Sequence, residues 1–307
     1  MGRIVFSLVG HYKRDNMIII AKVLGVKVMS QLNCLNLCEI IHHLYELIPD
    51  FQEIITKANE IAGFDKCERI YIGSYFCGQY FLHQSKEMLD ELRGFCEKEG
   101  VALTLVVPTF SEKDLKRGKE KLAIIKEWLG KIIDEVVVND YGMLAYVSDR
   151  YHVSLHLGRL FTKDYRDPRY EEYFNQVLSP KIFNKYMLEL VKAFKVKGVE
   201  FDPTHVGINF REAPEELIVG IHGPYCYMTT GHICEYASLN KEIDKKFRPN
   251  NPCTHECSSH IISYDLEDDR EWLRIGKTIY FENRECSIYE LEHMRMIYFP
   301  IDLEVGK

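Results

Sequence analysis

The chain has 307 residues, ten cysteines, 46% hydrophobic residues and a formal net charge of −7. That is enough apolar sequence for a full core, arranged as one barrel-sized domain or two ordinary ones. The negative charge argues against generic duplex nucleic-acid binding, which needs a strongly basic surface to neutralise phosphates, but it leaves room for a local basic pocket. Ten cysteines in so long a chain do not read as a secreted disulfide framework, and the first residues carry no signal-peptide pattern. The apolar run Met17–Met29 is broken by Lys22 and Lys27, so no membrane span is expected there. The expected setting is a reducing cytoplasm.

Short β-type runs alternate with longer helical patterns. Strands are predicted at Arg3–Leu8, Arg69–Gly73, Ala102–Pro108, Glu135–Asn139, Val153–Gly158, Gly198–Asp202 and Leu217–His222. Between them, helical patterns cover Glu39–Tyr45, Phe51–Ile61, Gln84–Glu99, Ser111–Gly130 and Lys181–Phe194. Uninterrupted apolar strands such as LTLVV and EVVV suit parallel strands covered on both faces. The alternation predicts either a doubly wound sheet or a closed (β/α)8 barrel. No Rossmann or P-loop glycine motif follows the first strand, which favours the TIM-like α/β barrel.

From Pro224 the rhythm lapses into a Cys- and Pro-rich stretch. The expected organisation is a barrel body at 1–223, a Cys-rich metal-binding insertion at 224–260, and a mixed β and irregular segment at 261–307 completing the same domain. Reactive groups of such barrels sit at the C-terminal ends of the strands. Those ends carry Asn139, Asp140, Arg159, Asp202 and His222, with Cys226 four residues beyond His222.

Cys226, Cys234, Cys253 and Cys257 are spaced C-x7-C, then eighteen residues, then C-x3-C. Pro224, Pro249, Pro252, Gly223 and Gly231 deny this stretch a regular helix or strand, so its order must come from elsewhere. Four thiolates can hold an iron–sulfur cluster or zinc, while free cysteines also serve as small core hydrophobes. Structural zinc prefers tight knuckles, which Cys253 and Cys257 alone provide. Cys34 and Cys38 share a face of a predicted helix and read as core, although they and Cys286 are alternate ligands. Cys67, Cys77 and Cys96 read as packing residues. Arg159, Lys163, Arg166 and Arg169 fall within eleven residues and form either a solvated loop or an anion pocket. Asp140 is a helix N-cap or, with Asn139, a catalytic or substrate-binding group. His222 is either a hydrogen-bonded structural residue or an acid/base beside the cysteines, and His232 and His255 lie within the cysteine stretch. No conventional hydrolase motif appears.

Three segments resemble the collagenase-like peptidases of family U32: VNDYGMLAYV at Val138–Val147, LHLGRLFTKDYRDPR at Leu155–Arg169, and the ordered cysteines after His222. The resemblance implies a (β/α)8 barrel with a 4Fe–4S cluster on Cys226, Cys234, Cys253 and Cys257. It further implies a part in oxygen-independent hydroxylation of a small molecule or RNA base, with a prephenate-like dicarboxylate as donor held by the Arg159 group. The family name offers a peptidase instead, in which His222 and Asp140 would activate water. A third expectation is a non-catalytic cluster-bearing scaffold working with a second family subunit. The sequence departs from the family at TGHIC, residues 230–234, where a basic SGRC-like arrangement is usual. Length and charge favour a small anionic partner or a heteromeric pair over direct RNA binding.

Overall fold

The computed structural model describes residues 20–24, 30–162, 179–203, 207–239, 241–249, 251–258, 260–265, 270–283, 285–289, 293–301 and 303. Eight parallel strands close into a ring: β1 (Ser30–Asn36), β2 (Arg69–Gly73), β3 (Ala102–Val107), β4 (Ile133–Val138), β5 (Ser154–Leu157), β6 (Gly198–Phe201), β7 (Ile218–Gly223) and β8 (His293–Tyr298). Strand order follows the chain, and β8 closes the ring by pairing with both β7 and β1. This is the (β/α)8-type barrel that the alternating pattern predicts.

Seven α-helices flank it among the described residues: α1 (Ile41–Leu47), α2 (Phe51–Ala62), α3 (Gly78–Leu82), α4 (Lys86–Glu99), α5 (Glu112–Leu129), α6 (Tyr141–Arg150) and α7 (Lys185–Ala193). Their ends obey local chemistry. Asp50 and Ser85 accept backbone N–H bonds at the starts of α2 and α4, and Gly63 and Gly100 end the same helices in the left-handed conformation. Each helix turns an apolar face inward, as with Ile54, Ile55 and Ala58 of α2 or Leu122 and Ile125 of α5. None of the described helices is long and apolar enough to cross a membrane.

Six of the predicted strands coincide with β2–β7 to within two residues, while Arg3–Leu8 lies outside the described residues. The barrel instead takes its first strand from SQLNCLN, whose polar residues hide it, and its eighth from the segment expected to be mixed β and irregular. The proposed body at 1–223 therefore holds seven of the eight strands and does not close without His293–Tyr298.

The interval between β7 and β8 begins with a regular strand, not irregular chain. Tyr225–Thr230 pairs antiparallel with Thr278–Glu282, which pairs with Trp272–Ile275 and that in turn with Ile262–Tyr264. Short 3-10 turns at Tyr236–Ser238, Ile243–Lys245 and Glu256–Ser258 carry the cysteine-bearing chain between the first strand and the rest. A further parallel sheet joins Ile20–Leu24, Glu285–Tyr289 and Ile208–Asn209.

The barrel interior is polar. Glu135 on β4 accepts bonds from Arg295 on β8 at 2.7 and 2.8 Å and from Thr104 on β3 at 2.8 Å. Because β4 and β8 stand on opposite sides of an eight-stranded ring, this pair spans the barrel. His156 Nε2 lies 3.1 Å from the same carboxylate, and Arg69 donates to Thr104 and bidentately to Asp134. Gly198 makes room for the ring: a Cβ there would lie 2.2 Å from His156 Nδ1. Burial alone would raise the Glu135 carboxyl, but His156, Arg295 and Arg69 together hold it well below the usual carboxylate range.

Higher in the barrel, Glu200 behaves oppositely. Burial pushes its carboxyl up to about 8, beside His222 at 3.2 Å. The two acids impose opposite pH dependences. Glu135 contributes stability that is complete above an unfolded carboxyl's pKa of about 4.3 and is lost as pH falls through its lower folded value. Glu200 contributes stability that is present below that value and lost as pH rises through about 8. Glu135→Ala, which takes the carboxylate partner from the buried Arg295 guanidinium, is expected to lower unfolding free energy by about 3–5 kcal/mol in chemical denaturation. Glu200→Gln should flatten the decline in thermal midpoint between about pH 5 and pH 8. An unchanged slope would mean that Glu200 does not carry this titration.

Candidate functional site

A cavity opens at the C-terminal face of the barrel. Cys77, Cys234, Cys253 and Cys257 all line it, with His232, His255, Lys277 and Glu39. Cys77 arrives on the loop after β2, at the N-cap of α3. The other three come from the interval between β7 and β8, so the barrel and its insertion share the site.

One carboxylate orders the Cys77 loop. Glu39 Oε1 accepts from Ser74 Oγ at 2.6 Å and from the backbone N–H groups of Tyr75 and Phe76 at 2.6 and 3.1 Å. Ser74 Oγ in turn accepts the Cys77 N–H at 2.8 Å. Glu39 itself has φ 64, a left-handed conformation uncommon outside glycine, which the surrounding bonds hold in place. His255 has φ 67 between Cys253 and Cys257 and reverses the chain there. The Gly276 hairpin tip approaches from the small sheet, where a Cβ would stand 3.8 Å from Cys257 Sγ.

The four cysteines are electrostatic neighbours. Burial pushes the Cys253 thiol up to about 11, and the nearby sulfurs of Cys77 and Cys234 add to this. Burial likewise raises Cys257, next to Cys77, Cys234 and Cys253. Cys77 is raised by burial and drawn down by Lys277. Cys77, Cys253 and Cys257 are therefore neutral at ordinary pH, and a bound cation would be needed to ionise them together. Among the described residues, no group of three or more His, Cys, Asp or Glu side chains is gathered as a single metal ion requires. A four-iron cluster makes a different demand, because each thiolate binds a separate iron and the sulfurs stand farther apart than around one ion.

Cys226 is corrected by strand periodicity. It is fully buried between Trp272 and Phe281 on one face of Tyr225–Thr230. Its neighbours Tyr225 and Tyr227 occupy the other face. Tyr227 OH donates to the Arg159 carbonyl at 3.1 Å, so that second face is the one toward the barrel. Cys34 and Cys38 are buried in the main core, but Cys34 lies on strand β1 and Cys38 in the turn after it, so they do not share the helix face expected from their spacing; neither lines the cavity, and Cys67 and Cys96 are also core. Cys286 falls on the strand Glu285–Tyr289. Cys77, read from sequence as a packing residue, is the participant that sequence reasoning missed. Its signal was the position, just past a strand end on the C-terminal face of the barrel.

Arg159 is not presented to solvent. Its side chain is fully buried, its Nε donates to Asp202 Oδ2 at 2.8 Å, and its Nη2 donates to Asp202 Oδ1. Tyr75, Phe76, Tyr227 and Tyr280 surround the guanidinium with ring centroids 5.2–5.8 Å away. Asp202 Oδ1 also accepts the Tyr227 N–H at 2.9 Å. The expected donor-binding role for Arg159 thus gives way to a structural one, tying the barrel mouth to the small sheet. Lys163, Arg166 and Arg169 lie outside the described residues.

The proposed acid/base groups do not meet. His222 is buried inside the barrel, facing Glu200 and set edge-on to Tyr75 at 5.1 Å. Asp140 caps α6 by accepting the Met143 N–H at 2.7 Å, the plain N-cap reading. Asn139 is buried and donates to the Val107 carbonyl at 3.1 Å; it and Asp140 line a separate cavity with Lys181 and Met187. Neither His222 nor Asp140 lines the cysteine cavity.

No protein-family model matches the chain, and comparison with curated proteins and with solved structures finds no match. The fold and site define an α/β-barrel protein with a cysteine-lined cavity at the strand C-termini.

Removing the Asp202 carboxylate would leave Arg159 buried without its counter-charge. Asp202→Ala is expected to cost about 3–5 kcal/mol of stability and to speed labelling of Cys253 by a thiol reagent as the small sheet loosens. Unaltered labelling would show that the sheet does not depend on this pair.

Proposed function

We propose that this chain is an iron–sulfur barrel protein taking part in oxygen-independent hydroxylation or a related modification, with a 4Fe–4S cluster on Cys77, Cys234, Cys253 and Cys257. The observation that carries the reading is the convergence of four cysteines, from two separate parts of the chain, on one cavity at the catalytic face of a barrel. When bound, such a cluster would supply one-electron chemistry or a site for activating an oxygen donor.

This chain's own residues shape that chemistry. Glu39 and Ser74 fix the loop that presents Cys77. Lys277 lines the cavity and favours the thiolate form of Cys77, offsetting part of the negative charge that four ionised sulfurs would bring. Tyr80, Phe110 and Ile275 provide apolar wall on the same cavity, while Gln79, Thr109 and Ser111 offer polar groups to a small ligand. A prephenate-like dicarboxylate would meet Lys277 and His232 there, in place of the sequestered Arg159. Localisation in the cytoplasm and a second family subunit remain part of this proposal. The peptidase alternative loses its support, since His222 and Asp140 are committed to separate partners.

Anaerobic purification with iron and sulfide analysis tests the assignment. About four irons and four sulfides per chain are expected in the parent protein. Cys77→Ser should lose most of both, whereas Cys226→Ser should retain them. Retention in Cys77→Ser with loss in Cys226→Ser would restore the ligand set read from spacing. Zinc without sulfide would sink the hydroxylation reading altogether.

A further inference from the structure

The loop between Cys234 and Cys253 does more than join two cysteines. With the residue just before Cys234 it exposes Ile243 at 90%, Leu239 at 59%, Phe247 at 58% and Ile233 at 44%, a density of bare apolar side chains seldom tolerated without a partner. These four are among the seven most exposed large hydrophobic side chains of the described residues. The same loop reverses the chain's charge. Lys241–Arg248 holds four cations against two acids, in a protein whose net charge is −7.

The loop is also tied directly to the cysteine site. Ser238 Oγ donates to the Cys234 carbonyl at 3.1 Å and accepts the Phe247 N–H at 2.9 Å. Lys241 Nζ donates to the Pro252 carbonyl at 2.6 Å, and Asn251 Nδ2 donates to the Lys245 carbonyl at 3.0 Å. Residues immediately flanking Cys234 and Cys253 therefore hold the exposed patch in place. Cys234, Cys253 and Cys257 are only half-buried beneath it. An apolar centre with a cationic surround, hydrogen-bonded to the chain at Cys234 and Pro252 beside a prospective redox group, matches what a transient electron-transfer encounter needs. Such an encounter uses a small contact, charge steering and a short path to the centre.

We infer that the 233–248 loop is the docking surface for a small acidic one-electron carrier protein of the ferredoxin or flavodoxin type. The inference rests on the cluster reading above. The carrier gives up one electron and is oxidised, the cluster gains that electron, and no bond is made or broken. Ile243 and Phe247 supply the apolar contact, while Lys245 and Arg248 steer the acidic partner.

The test uses the anaerobic full chain and two acidic probes, a plant-type ferredoxin and a flavodoxin. Binding is followed by fluorescence anisotropy with labelled carrier, and cluster reduction by stopped-flow absorbance with reduced carrier. At least one carrier should bind at low salt, with affinity falling about tenfold on raising ionic strength to physiological levels. The exposed triple variant Ile243→Asp/Lys245→Glu/Arg248→Glu should weaken binding and slow carrier-driven reduction by about tenfold or more. Its iron and sulfide content and its reduction by dithionite should match the parent. Equal behaviour of variant and parent overturns the docking site, as does failure of both carriers to bind. Loss of self-association in the variant, read by ultracentrifugation, would assign the patch to a second copy, and loss of RNA binding would assign it to nucleic acid; either result overturns the carrier proposal. A parent chain without iron and sulfide would instead bring down the cluster reading on which the inference stands.

Discussion

The Arg159–Asp202 pair is the constraint from which the functional end of this molecule is built. Both residues stand just past the ends of adjacent barrel strands, and both are withdrawn from water. A buried guanidinium is tolerable only when its charge is met, and here a bidentate carboxylate and four aromatic rings meet it. Because Asp202 also accepts the Tyr227 N–H, the same pair anchors the first strand of the small antiparallel sheet. That strand sets where the rest of the insertion begins, and its hairpin partner brings Gly276 and Lys277 to the cavity. Three of the four cavity cysteines reach the barrel mouth on chain that leaves this sheet, which the pair holds in place.

Two other acids divide the work inside the barrel. Glu135 neutralises cations across the ring and is kept ionised by them. Glu200 has no comparable set of close cations and drifts toward the neutral form under burial. The contrast is one of surroundings, not residue type, and it leaves a charged belt lower in the barrel with a weakly acidic group above it. Glu39 repeats the theme at the rim, where backbone N–H groups replace cations as partners. Here a carboxylate organises the chain around a cysteine in place of closing a barrel.

Local signals in the sequence were strong where strands are covered on both faces. LTLVV and EVVV carry one polar residue each in otherwise apolar runs, and they fall within β3 and β4. Asp140 as an N-cap was equally legible, because a cap depends only on residues two or three positions away. β1 was illegible because Ser30, Gln31, Asn33 and Asn36 break the apolar pattern, and its partners lie at the far end of the chain. Arg159 looked like an anion pocket because nothing near it in sequence announces Asp202, forty-three residues on.

Composition and spacing alone established the alternating α/β architecture, the Asp140 cap and three of the four cysteines that share the cavity. Tertiary structure decided the fourth. Strand alternation turned Cys226 toward Trp272, and ring closure brought the loop after β2 across to the insertion after β7, making Cys77 the neighbour of cysteines more than 150 residues away. Spacing reports only what a short stretch of backbone can reach, whereas a closed barrel sets side by side the ends of strands that the chain itself keeps far apart.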